Sequence, residues 1–173
     1  MAAAVTPPQP PQEKKSSPFS SYGADWPLGG YAVLLASYAA LFGIPLLAAE
    51  ERRLPSDLRI RDLLLLGIAT HKLTRIATRD WVTAPLRAPF TRFKENVGAG
   101  EVAEQARGQG LQRAVGDLLT CRWCFAPWVA GALMAGLTLR PKKTRIVAGA
   151  FAAVAISDFL QFAYDAARKL KGK

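Results

Sequence analysis

Residues 28–49 read LGGYAVLLASYAALFGIPLLAA and contain no charged side chain. This length matches the roughly 20 apolar residues that a helix needs to cross the hydrocarbon core of a bilayer. The charged residues 50–53, EERR, follow at once and mark the end of the stretch. The pattern predicts a membrane-spanning helix over 28–49. The alternative, a buried helix of a soluble domain, fits less well because the stretch has no polar face.

The composition of the whole chain agrees with a membrane protein. Half of the 173 residues are hydrophobic, yet the formal net charge is +10, because apolar residues are clustered and basic residues lie between the clusters. The length allows one modest domain. A basic chain suits nucleic acid or an anionic bilayer surface. Since no nucleic-acid-binding module is recognisable, the predicted partner is the lipid bilayer and not a nucleic acid.

Both ends of the chain are polar. Residues 1–26 are rich in Pro, Ser and Gln and show no apolar period, which predicts a disordered tail. Residues 168–173 form a short basic tail. The part between them, 27–167, is predicted to be one helical membrane domain.

Two further stretches have the length and apolar character of membrane spans, residues 118–139 and residues 146–164. The link between them, RPKKTR, is so short that they are predicted to form an antiparallel helical hairpin. Both carry small residues at four-residue spacing, which is typical of helices that pack closely in membranes.

Residues 62–78 are open to two interpretations, because their apolar part is too short to span a bilayer unaided. If the basic side chains that follow reach the interface, the segment spans and the chain crosses four times. If the segment lies in the interface plane, the chain crosses three times. Residues 81–117 are predicted to be a long polar loop. The predicted fold class is therefore all-α, a small helical membrane bundle of three to four transmembrane helices.

Three motifs in a fixed order carry a family resemblance. They are DLLLLGIATHKLTRIATRDWVTAPLRAPFTRF at 62–93, GLQRAVGDLLTCRWCFAPWVAG at 110–131 and SDFLQFAY at 157–164. Over roughly residues 54–165 the chain resembles the bacterial domain-of-unknown-function family 1360, some members of which are labelled sporulation proteins. The resemblance implies a small bacterial multi-pass membrane protein. It implies no reaction, because no activity is established for the family.

Cys121 and Cys124 are the two cysteines of the chain and have CxxC spacing at the start of an apolar run. Three interpretations stay open. The N–H groups at a helix start favour a reactive thiolate and hence a redox pair, but the chain has no second thiol pair. A zinc site needs four ligands, so His71 and an acid such as Asp117, or two thiolates of a second copy, would have to join. The leading interpretation is a pair of structural thiols.

A group of basic side chains follows the apolar part of 62–78 and continues into the polar loop. Its members are His71, Lys72, Arg75, Arg79, Arg87 and Arg92. Because the planar guanidinium fork suits phosphate, the group is a candidate binding site for anionic lipid head groups. The alternative is that these charges only set the topology and bind no ligand.

Asp158 lies inside the predicted span 146–164. A carboxylate at membrane depth is costly and is usually paired or functional. We therefore predict that Asp158 lies within ion-pair reach of the basic group, with Lys72 or Arg75 as the partner.

The sequence shows no recognisable catalytic constellation, and no cofactor is predicted. It favours a protein that binds or scaffolds through helix packing and a basic cytoplasmic loop, as a homo- or hetero-oligomer. The alternatives are a membrane thiol redox protein that uses Cys121 and Cys124, and a small transporter or channel subunit in which Asp158 carries an ion or proton. The predicted location is the bacterial inner membrane, with the long loop and the C-terminus in the cytoplasm.

Overall fold

The computed structural model describes residues 26–49 and 58–171, and it is mostly helical. The helices are α1 Leu28–Tyr38, α2 Ile44–Ala48, α3 Ile60–Arg79, α4 Ala84–Arg87, α5 Gly110–Thr120, α6 Arg122–Leu139 and α7 Pro141–Lys171. Two strands, β1 Thr91–Gly98 and β2 Glu101–Ala106, form a small antiparallel sheet. The predicted disordered tail lies outside the described residues, apart from Trp26.

Helices α1 and α2 form one continuous rod with a π-helical turn, Ala39–Gly43, between them. Pro45 has no N–H, and its ring would clash with the carbonyl of Leu41, which lies inside the π turn. The wider turn accommodates this mismatch without ending the helix. The rod Leu28–Ala48 is long and apolar enough to cross a membrane, which confirms the length and helical character predicted for 28–49.

The last two predicted spans differ from expectation at their starts. The span at 118–139 is broken at Cys121, where α5 and α6 meet at 85°, and this bent pair reaches membrane length and hydropathy only when taken together. The span at 146–164 lies inside the much longer α7, whose segment Pro141–Leu170 is also apolar enough to cross. Arg140 alone separates α6 from α7. The described residues thus hold two helices that are both long and apolar enough to cross a membrane, or three if the bent pair counts as one.

Contacts between named residues fix the relative direction of α3 and α7. Asp62 pairs with Arg145 near the start of both helices, with two N–O distances of 2.9 Å. Further along both helices, Lys72 pairs with Asp158. Because the order of the contacts is the same in both chain segments, α3 and α7 run parallel.

The rod α1–α2 and helix α6 run in the direction opposite to α3 and α7. Tyr38 packs edge-on against Trp128, with ring centroids 5.3 Å apart, and Phe42 lies against Gly131 one turn later in both helices. The rod α1–α2 is therefore parallel to α6. Gly136 and Thr144 face each other across Arg140, so α6 and α7 are antiparallel, as predicted for this hairpin. The rod, α3, α6 and α7 consequently alternate in direction.

This alternation gives the molecule two distinct ends. The hairpin end is named after the β-hairpin of β1 and β2, and it also holds the cysteines and the C-terminal half of α7. The link end holds the start of α3 and the connection between α6 and α7.

The apolar core lies where α3, α6 and α7 meet. Its buried members are Leu66, Ala69, Leu133, Leu137 and Ala148. Burying a leucine side chain contributes about 1.5–3 kcal/mol, so this cluster fixes α3 in the groove between α6 and α7. On α6 the small residues lie at contacts, Gly131 against Phe42 and Gly136 against Thr144, whereas Gly149 on α7 has no neighbour within 4 Å.

The sheet corrects the expectation of an all-α fold and of a structureless loop over 81–117. Three successive residues with positive φ, Gly98 at 86°, Ala99 at 49° and Gly100 at 77°, form the tight turn between the strands. Nearly every residue of β1 is exposed, so the strand has no apolar alternation that the sequence could reveal. On β2, Val102 and Ala106 are the buried apolar residues.

Gly116 lets α5 pack directly on the hairpin. A Cβ atom at this position would collide with the carbonyl oxygen of Phe90 and would lie 2.8 Å from the Cβ of Ala106. We therefore expect Gly116→Ala to lower the free energy of unfolding by about 1–3 kcal/mol through overpacking. The matched control is Gly149→Ala on α7, where nothing lies within 4 Å and where the better helix former should stabilise by about 0.5–1 kcal/mol. Thermal unfolding in detergent measures both variants, and shifts of the same sign would contradict the prediction.

Candidate functional site

A small open cleft lies between α3 and the C-terminal half of α7, near the hairpin end. Its lining combines charged and aromatic side chains, namely His71, Arg75, Ala155, Asp158, Phe159 and Phe162. The imidazole of His71 stacks on the ring of Phe159, with centroids 6.4 Å apart and planes 24° apart. The cleft therefore brings three members of the predicted site, His71, Arg75 and Asp158, to one place.

The pair between Lys72 and Asp158 confirms the predicted contact. The Nζ atom of Lys72 lies 2.7 Å from the Oδ2 atom of Asp158, and the side chains are only 11% and 26% exposed. Two opposite charges at this distance remove most of each other's desolvation penalty. The ion pair therefore ties α3 to α7 at Asp158, which lines the cleft.

Arg75 connects the cleft with the hairpin. Its Nε atom donates a hydrogen bond to the carboxylate of Glu101 at the start of β2. The backbone of Glu101 also forms an isolated β-bridge with Asp80, just after α3. Arg75 thus binds Glu101 of the β-hairpin and also lines the cleft. The same side chain contributes positive charge to the cleft and contacts the hairpin.

The structure places Arg87 in the interior and not on a binding surface. The Arg87 side chain is 1% exposed and its Nε atom donates to Glu104, which is itself 7% exposed. Its Nη1 atom lies 3.0 Å from the carbonyl oxygen of Ala77 and 2.6 Å from Oγ1 of Thr83, and its Nη2 atom lies 3.1 Å from the carbonyl oxygen of Asp80. These protein acceptors occupy the fork that phosphate was expected to fill. Arg87 instead holds the end of α3, the following turn and β2 together.

The last two members of the predicted basic site stay near the surface. Arg79 is half-buried at the end of α3, and Arg92 is exposed on β1. Both lie at the hairpin end, but neither lines the cleft. The six basic residues therefore do not form one site. His71 and Arg75 line the cleft, Lys72 pairs with Asp158 beside it, Arg87 is interior, and Arg79 and Arg92 lie near the surface.

Cys121 and Cys124 lie at the corner between α5 and α6 and are joined by a disulfide, with Cα atoms 5.2 Å apart. Cys121 is the N-cap of α6, and its Sγ atom accepts a hydrogen bond of 3.2 Å from the N–H group of Cys124. Cys124 is exposed and Trp123, between the two, is 86% exposed. The structure thus brings the two sulfur atoms to disulfide distance, and the structural, redox and metal interpretations of the pair stay predictions.

A zinc site around the cysteines would need further ligands. Within residues 26–49 and 58–171, no group of three or more His, Cys, Asp or Glu side chains is arranged to hold a metal ion. Asp117, considered as a ligand, accepts hydrogen bonds from Arg113 and, at 2.7 Å, from the hydroxyl of Tyr31.

The acidic partners that Arg75 and Arg87 have on β2 were not predicted from the sequence. Glu101 and Glu104 lie three residues apart on β2, where they meet Arg75 and Arg87. A signal was present, because Glu101 and Glu104 lie between two glycine pairs, 98/100 and 108/110. It becomes informative only once residues 91–106 are recognised as a hairpin.

Comparisons with known proteins identify a family for the chain. Residues 65–164 match a protein family described as "Protein of unknown function (DUF1360)". The chain is similar to the sporulation protein YjcA of Bacillus subtilis (strain 168), with 36% identity over 75 residues. That match covers 42% of this chain and 64% of the relative's length. No solved structure matches the chain.

Proposed function

Because the chain belongs to the DUF1360 family, whose description names no activity, we propose its function from its geometry: an integral membrane protein that binds anionic lipid and scaffolds other proteins. The name of the relative makes sporulation the first cellular process in which to test this function. The sequence predicts the bacterial inner membrane, with the hairpin end in the cytoplasm, and we retain that orientation in the proposal.

The observation that supports this proposal most strongly is the distribution of apolar and charged side chains. Large apolar side chains point outward on the long helices, as Leu47 at 88% and Ile146 at 73% exposed illustrate. The ion pairs Lys72–Asp158 and Arg145–Asp62 lie between α3 and α7. A soluble protein rarely exposes such large apolar surfaces, whereas a bilayer covers them. With α3 counted as a span, the alternating helices give four crossings.

The hairpin end supplies the proposed lipid contact. Arg79 is followed along the chain by the exposed apolar residues Trp81, Val82 and Leu86, and Arg92 is exposed on β1. Tryptophan and basic side chains together are typical of the membrane interface, where the ring meets the head groups and the cation attracts anionic phosphate.

We expect the full chain to stay in the membrane fraction after carbonate washing and to co-purify with anionic lipid in mild detergent. Arg79→Gln combined with Arg92→Gln should reduce the bound anionic lipid, because it removes two cations from the proposed interface. Lys142→Gln combined with Lys143→Gln is the matched control, since it removes the same charge from the link end. Extraction into the soluble fraction, or equal lipid loss from both double variants, would contradict the proposal. The same purification measures the predicted oligomeric state.

A further inference from the structure

Cys121 and Cys124 lie at the bend between α5 and α6 and play no part in the function proposed above. The backbone turns by 85° at Cys121, and this places the pair at an outer corner of the molecule. Cys121 is half-buried and Cys124 is exposed. The disulfide shows that the two sulfur atoms reach each other within this backbone conformation, so opening and closing the bond requires no rearrangement of either helix.

The two sulfur atoms differ in their electrostatic environment. Cys121 caps the N-terminus of an 18-residue helix and its Sγ atom accepts the N–H group of Cys124. A hydrogen bond from a backbone N–H and the positive end of the helix dipole both stabilise a thiolate. Arg122 adds a positive charge next in the chain. When the bond is open, Cys121 is therefore the sulfur that carries the negative charge and acts as the nucleophile.

We propose that Cys121 and Cys124 form a redox-active dithiol that reduces a disulfide of a partner protein at the membrane surface. The Cys121 thiolate attacks one sulfur of the partner disulfide, which forms a mixed disulfide and releases one partner thiolate. Cys124 then loses its proton and attacks Sγ of Cys121, which closes the disulfide seen in the structure and releases the second partner thiolate. Two electrons pass from the pair to the partner, and the thiol pool of the cytoplasm, the side predicted for this end, returns the pair to the reduced state.

A polypeptide partner fits the surroundings of the pair. Trp123, almost fully exposed between the cysteines, offers an apolar ring beside the reacting sulfur atoms, and aromatic side chains are enriched where proteins bind one another. The chain contains two cysteines in all, so a second thiol pair within it cannot serve as the acceptor. The exchange must therefore take place with another molecule.

The order of the two steps is testable with matched single-thiol variants. The full chain, purified in detergent and reduced, is mixed with glutathione disulfide as the probe, and intact mass is followed with time. Wild type should end as the internal disulfide with release of two glutathione molecules. Cys124→Ser should stop as a glutathione adduct on Cys121. Cys121→Ser carries the same number of thiols and should react about tenfold more slowly, because Cys124 is not the N-cap of α6 and its thiol lacks the N–H donor that Cys121 has.

The same variants give a readout in cells. Tagged Cys124→Ser should form reducible mixed disulfides with cell protein, and Cys121→Ser should not. Helical content and the reaction rates in denaturant, where both variants should react equally, control for misfolding. Equal native rates for the two variants would overturn the assignment of the nucleophile. A wild-type pair that fails to close with the probe, or that stays oxidised in cells given a permeant reductant, would overturn the proposal and indicate a static structural disulfide.

Discussion

Replacement of Arg87 by methionine is expected to lower the free energy of unfolding by about 3–5 kcal/mol, the range for breaking a buried ion pair from one side. Methionine fills a similar space but donates no hydrogen bond. The carboxylate of Glu104 would then remain buried without its cation. The carbonyl oxygen of Ala77 would also lose its Arg87 donor, whereas that of Asp80 would keep the donors of Thr83.

The control for Arg87 is Arg92→Met, which removes the same charge from an exposed position on β1 and should change stability by no more than about 0.5 kcal/mol. A double variant, Arg87→Met with Glu104→Gln, should recover part of the loss, because it removes the stranded charge. Denaturant unfolding in detergent measures all three. A loss for Arg87→Met no larger than that for Arg92→Met would show that the interior pair does not hold the hairpin in place.

The helical part of the fold was predictable because its determinants are local. The charge-free run at 28–49 and the apolar runs that form α6 and α7 each have the length that a bilayer demands. The Lys72–Asp158 pair was also predictable, because two opposite charges in apolar surroundings have few ways to avoid a large penalty other than meeting each other.

The β-hairpin and the role of Arg87 could not be predicted, because they depend on contacts between distant parts of the chain. A two-stranded sheet that buries few side chains leaves no apolar period in the sequence. Without the hairpin, nothing shows that Glu104 approaches Arg87, so the arginine looks like one more surface cation. The same holds for the pair of Asp62 and Arg145, since it depends on α3 running parallel to α7.

The corner at Cys121 was missed for a further reason. Taken together, α5 and α6 are long and apolar enough to form one span. The sequence therefore gives no indication of a right-angled break within this segment. Pro127 lies inside α6 and not at the break, so proline does not mark the corner. The bend instead depends on the packing of α5 against the rod and the hairpin, which is set by tertiary contacts at Gly116 and Tyr31.

Asp158→Ala is expected to lower the free energy of unfolding by about 2–3 kcal/mol, below the full range for a buried pair because Asp158 is partly exposed. The loss arises from Lys72, whose ammonium group would remain between α3 and α7 without its counter-ion. Asp158→Asn should cost less, because the amide oxygen still accepts a hydrogen bond from Lys72. The matched control is Gln161→Ala, one turn later on the exposed side of α7, where the side chain makes only a 3.4 Å contact with Ser157 and the change should stay within about 0.5 kcal/mol.

A second substitution separates the charge from the packing in this experiment. If the stranded ammonium causes the loss, Lys72→Met combined with Asp158→Ala should be more stable than Asp158→Ala alone, since the double variant buries no unpaired charge. If the loss came from the missing side-chain volume of Asp158, the double variant would be at least as unstable as the single one. Unfolding followed by helical content in the same detergent distinguishes the two results. A double variant that shows no recovery would mean that the pair is not what holds α3 against α7 at the hairpin end.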